Sequence, residues 1–260
     1  MTLAAPEEID LVNLDHAIAN YNSETDRCLL AELPDLEERL WAKIPTYDRL
    51  DGNNVSLCDY LHRLALNGAA FLKHLGFDAK AADNFYHAML FSKLGLIHDN
   101  NNHKGFAPAD PVCVADRQEA RQLADDGCEI LNDAMASMSQ EFRDHPHIRL
   151  VMPALMQFHN ECVNGRGPFA CDGRDMGVII RVAAIVDAYQ HQYCNTEAAH
   201  APGSPIEAIE RMCGHDETDN CITYNSFDRR LLEAYAHYQS HGSQTGTTRN
   251  AVREMAIETA

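Results

Sequence analysis

The 260-residue chain carries 39 acidic against 21 basic side chains, a formal net charge of -18 with histidine neutral, and 45% of its residues are apolar. That apolar share argues against disorder and suffices for one sizeable core, while the negative charge disfavours general binding to nucleic acid or to anionic membranes. No apolar run approaches the roughly 20 residues that span a bilayer, and MTLAAPEEIDL carries acids where an export signal would carry bases, so the reading is a cytoplasmic protein without a membrane partner.

The nine cysteines (Cys28, Cys58, Cys113, Cys128, Cys162, Cys171, Cys194, Cys213 and Cys221) are odd in number and form no CxxC pair. In a chain read as cytoplasmic they are expected to be free thiols, some of them small core residues.

Apolar residues recur three and four apart over long stretches, and no alternating strand pattern stands out, which predicts an all-α fold. From Pro6 to Ile44 the pattern predicts two helices with a break near Asn22 to Thr25. Ser56 to Leu75 carries one continuous apolar face, Leu57, Leu61, Leu64, Ala65, Gly68, Phe71, Leu72 and Leu75, and Gly76 supplies a stop. A further helix is predicted over Ala79 to Leu94, and the Asn-, Gly- and Pro-rich stretch His98 to Pro111 reads as a loop. Helices resume over Ala115 to Met138, His147 to Asn160 and Met176 to Cys194, followed by Pro205 to Cys213 and Ser226 to Tyr238. The polar tail His241 to Ala260 is either frayed or a short terminal helix.

The most informative segment is Phe158 to Gln190, FHNECVNGRGPFACDGRDMGVIIRVAAIVDAYQ, in which His159, Glu161, Gly165, Gly167, Arg181 and Asp187 keep a recognisable spacing. It resembles the signature half of the HD-GYP family, where a His-His-Glu helix end leads into a Gly-x-Gly-Tyr-Pro loop and then into a helix with Arg and a ligand Asp. SPIEAIERM and FDRRLLEAY are similar to the family's closing helices, and Tyr60 to Ile97 can be laid on its first core helices, so the likeness covers about Ser56 to Tyr238. It implies an HD-domain-like helical bundle over 51–240, with an N-terminal helical extension over 1–50 and a tail over 241–260.

Members of that family hydrolyse cyclic di-GMP with two or three metal ions, usually iron or manganese. Several imidazole and carboxylate ligands are needed to hold such ions while leaving room for an activated water. Here the name-giving His-Asp doublet falls on Ser92 and Lys93, and the Lys that follows it on Leu96. The first metal His falls on Tyr60, the Glu before it on Ser56, a later ligand His on Leu123 ahead of Gly127, and the second His of the His-His-Glu run on Asn160. Only His159 and Asp187 survive as metal ligands, too few for a paired-ion centre, and the ammonium of Lys93 opposes a cation. The bland alternative makes His159 a hydrogen-bonded core histidine and Asp187 a buried acid paired with Arg181 or a backbone donor.

In the loop, Pro168-Phe169 replaces Tyr-Pro, while Gly165 and Gly167 still permit a tight turn. Arg166, Arg174 and Arg181 are the binding candidates for phosphate, for a cyclic dinucleotide or for a signalling domain; solvated surface arginine is the plain reading of the first two.

The leading expectation is therefore a catalytically inactive HD-GYP-like regulatory or adaptor protein that binds another protein, with a cyclic dinucleotide as a candidate ligand and no cofactor. The alternative is a metal-dependent phosphodiesterase with an iron or manganese centre built from His98, Asp99, His159, Glu161 and Asp187, in which Glu161 shuttles a proton. His98, Asp99 and His103 would supply the missing doublet only through a six-residue insertion, and the Asn-rich loop reading competes with it.

Overall fold

The computed structural model describes residues 9–19, 25–44, 57–97, 114–194, 204–213 and 226–241. Among these residues the fold is all-α, with no strand and only an isolated antiparallel bridge between Asn164 and Asp172. Ser56, the loop bearing His98, Asp99 and His103, and the residues after His241 lie outside the described residues.

The predicted pair at the N-terminus forms α1 (Leu14–Ala19) and α2 (Thr25–Lys43). The long apolar face becomes α3 (Leu57–His74), which buries Leu57, Tyr60, Leu61, Leu64, Ala65, Gly68, Phe71 and Leu72 at three- and four-residue steps. Gly76, with φ of +95°, turns the chain after α3. Asp78 then caps α4 (Ala79–Met89) by accepting from the backbone N–H of Ala81 at 2.7 Å.

The helix predicted to run on to Leu94 stops at Met89. Turns follow, then one short 3-10 turn at Leu94–Ile97. Gly95 explains the change of path. A Cβ there would lie 1.8 Å from the backbone oxygen of Leu123, so the turn and α5 (Val114–Met135) meet backbone to backbone.

A short α6 (Gln140–Arg143), capped by Ser139, had no counterpart in the sequence reading; four residues are too few to show a period. The helix expected from His147 begins instead as a π-type turn, His147–Val151, and becomes α7 (Met152–Phe158) with Pro153 in its first turn. After the loop come α8 (Val178–Cys194), α9 (Pro205–Cys213) and α10 (Arg229–His241), the last starting three residues later than expected because Asp228 caps it through Arg230 and Leu231.

The middle helix of the bundle is α8, buried along nearly its whole length and in contact with α1, α3, α7, α9 and α10. A single cluster of buried apolar side chains runs from Ile9 to Tyr235, so α1 and α2 share one core with the segment from α3 to α10. The N-terminal segment also closes the exposed end of α8. The carboxylate of Asp15 accepts from Val178 and Ile179 N–H at 2.7 and 2.9 Å, and Gly177 packs so closely that a Cβ would meet the Leu11 carbonyl oxygen at 2.6 Å.

Substituting Gly95→Ala forces backbone against backbone and is expected to cost about 3 kcal/mol, at the upper end of overpacking changes. Chemical denaturation checks this; a midpoint equal to wild type would contradict the close approach.

Candidate functional site

The site that the sequence singled out is built on three elements around α8. Tyr60 sits in the first turn of α3, Lys93 in the turn between α4 and Leu94–Ile97, and Asp187 midway along α8. The ammonium Nζ of Lys93 lies 2.9 Å from Oδ2 of Asp187, and the hydroxyl of Tyr60 donates to Oδ1 at 3.1 Å. Both members of the ion pair are sealed from solvent, with side-chain exposures of 5% and 1%. Lys93 also stands over the Tyr60 ring, 5.8 Å from its centroid.

Three of the positions assigned by resemblance to metal chemistry thus converge, and their side chains satisfy one another. The charge of Lys93 sits against the Asp187 carboxylate. A buried carboxylate needs such partners, because its desolvation otherwise costs several kcal/mol. The expected pairing of Asp187 with Arg181 is corrected here. The two are six residues apart, which turns them to different faces of α8, and Arg181 instead pairs with Asp228 at 2.7 Å.

His159 closes α7 and is buried. Its Nδ1 lies 2.9 Å from the Leu155 carbonyl oxygen and 3.2 Å from that of Met156, the geometry of a hydrogen-bonded core histidine. Burial, then the positive charge of Lys93, pushes its imidazole down to about 4, so it is neutral at pH 7. Its Nε2 is buried without a hydrogen-bond partner, as is the hydroxyl of Ser92 beside Lys93.

The Glu161 carboxylate is engaged by the loop that follows it. Its carboxylate accepts from the backbone N–H groups of Phe169 and Cys171 and thereby folds the loop back on itself. A Cβ on Gly167 would meet Glu161 Oε2 at 2.3 Å, so this glycine serves close approach, whereas Gly165, with φ of +72°, supplies the left-handed turn. Burial raises the Glu161 carboxyl above the ordinary range against the pull of these donors. Arg121 of α5 locks the loop from outside, donating to the Pro168 carbonyl oxygen and resting on the Phe169 ring at 5.6 Å.

The three binding arginines differ in what holds them. Arg166 is exposed at the loop tip, Arg174 is 88% exposed and paired with Asp172 at 2.8 Å, and Arg181 is drawn inward by Asp228. Of the remaining substituted positions, Leu96 packs against the core, Leu123 offers its backbone to Gly95, and Asn160 is half-buried after α7. Cys28, Cys58, Cys128, Cys162 and Cys171 form no disulfide among the described residues; burial pushes Cys128 and Cys162 up to about 11 and Cys171 up to about 12, which keeps these three un-ionised and poor nucleophiles.

No protein-family model matches the chain, and no curated protein does. The chemistry of the site therefore rests on its own residues. Among the described residues no three His, Cys, Asp or Glu side chains are grouped so that they could hold a metal ion, and no helix is long and apolar enough to cross a membrane.

The pair makes a sharp energetic prediction. Lys93→Met leaves Asp187 buried with only the Tyr60 hydroxyl and is expected to destabilise the fold by about 3–5 kcal/mol. The double change Lys93→Met with Asp187→Leu should recover most of that loss, as read by a double-mutant cycle in denaturant. Additive losses would show that the two groups are not coupled.

Proposed function

We propose that this chain is a non-catalytic regulatory or adaptor protein on an HD-type helical frame, acting by binding another protein. The observation that carries this reading is the buried Lys93–Asp187 pair with the Tyr60 hydroxyl. In a hydrolase of the metal-dependent kind, the carboxylate at this place faces cations and a water. Here its two oxygens are taken by an ammonium and a phenol, neither of which can generate a hydroxide as a bound metal ion does.

The surface favours a protein partner over a cyclic dinucleotide. Arg174 and Arg181 already have carboxylate partners, Asp172 and Asp228, which offset the charge they would offer a ligand phosphate. The net charge of -18 points instead to a partner with a basic face, which long-range attraction would steer.

The test is metal loading followed by desalting and elemental analysis. Protein exposed to excess iron(II) or manganese(II) is expected to retain far less than one ion per chain and to leave cyclic di-GMP intact. Stoichiometric metal that disappears in His159→Ala or Asp187→Ala, together with phosphodiester hydrolysis, would overturn the reading.

A further inference from the structure

Away from the Lys93 site, the segment between α6 and α7 carries a second group of buried titratable side chains. His145 and His147 are both buried, and the imidazole Nδ1 of His145 accepts the backbone N–H of His147 at 3.1 Å. That bond engages the first N–H of the π-type turn His147–Val151, and it requires Nδ1 to carry a lone pair instead of a proton. The turn packs against α1, α4 and α6. A π-type turn is an uncommon, locally loosened form of helix, which suits a seam that opens.

The groups facing this seam come from several elements. From α2 come Asp26 and Glu37; from α4 come Lys80, in an ion pair with Asp26 at 2.6 Å, and His87, whose Nδ1 lies 2.6 Å from Glu37. Asp26 and Lys80 act on His145, while His87 and His145 both act on His147. From α6 comes the half-buried Arg143, with Glu141 exposed. α1 adds only an exposed His16 and an Asp15 engaged at the start of α8. Asp26 therefore has Lys80 and His145 as neighbours, Glu37 has His87, and His147 feels both His87 and His145. Each proton added to the imidazoles increases the repulsion between them.

We propose that this cluster is a proton-operated latch: acidification unseats α1 from the His147–Val151 turn and α2 from the adjoining α6 while the rest of the bundle stays folded. The direction follows from burial, which together with neighbouring His87 and His145 holds His147 neutral down to about 3, whereas an exposed histidine titrates near 6.5. The closed seam is unpenalised above 6.5 and becomes progressively costlier as pH falls below it. Release would bare the apolar face of α2, Leu29, Leu33, Leu36 and Leu40, which the closed form buries.

The chain contains one tryptophan, Trp41 on α2, stacked on His62 of α3 at 5.0 Å and lying against Phe91 at 5.1 Å, so its emission reports whether α2 is seated. Between about pH 8 and pH 5, the wild-type emission is expected to shift to the red while far-UV circular dichroism keeps its helical signal. The double variant His145→Asn, His147→Phe should hold the emission constant, and His62→Gln, which removes the ring stacked on the reporter, should keep the wild-type shift. If the double variant does not fold, His145→Asn alone, whose amide oxygen can accept the same N–H without titrating, is expected to move the midpoint to lower pH. The latch is overturned by constant wild-type emission, by loss of helical signal in step with the red shift, by abolition of the shift in His62→Gln, or by a midpoint unmoved in the histidine variants.

Discussion

A lysine ammonium held 2.9 Å from a carboxylate in the interior is the constraint around which this bundle is arranged. It ties the turn after α4 to the central helix α8, and the Tyr60 hydroxyl adds α3 to the same knot. In a low-dielectric interior neither charge is tolerated alone, so the three elements must meet in one register or leave a charge stranded. The close backbone contact of Gly95 with α5, two residues after Lys93, then sets how the next helix passes.

The other acids near α8 are used as structural acceptors. Asp15 caps α8 from the far end of the sequence, Asp228 caps α10 while holding Arg181, and Glu161 gathers the N–H groups of the loop. These carboxylates are thus committed to backbone donors and to an internal guanidinium.

Much of the fold was legible because burial imposes a helical period. The face of α3 and the stop at Gly76 are cases in which local pattern and tertiary demand agree. That an ammonium at Lys93 cannot coordinate a cation follows from the residue type alone. Its true partner was not read, although spacing held the clue: Asp187 and Arg181 lie on different faces of α8, whereas Lys93 reaches Asp187 from 94 residues away. The cap that Asp15 provides for Val178 and the π-type start of α7 carry no local signature, because each depends on contacts between distant segments. Glu161 drew attention through its place in a motif, and only the fold reveals that its acceptors serve the loop.

The most direct measurement is a crystal structure of protein grown in excess manganese, with anomalous differences collected at the metal edge. The account predicts no peak between α3, the Lys93 turn and α8, with the Lys93 Nζ still within hydrogen-bonding distance of Asp187. A strong peak ligated by Asp187 and the Nε2 of His159, with Lys93 swung aside, would contradict it.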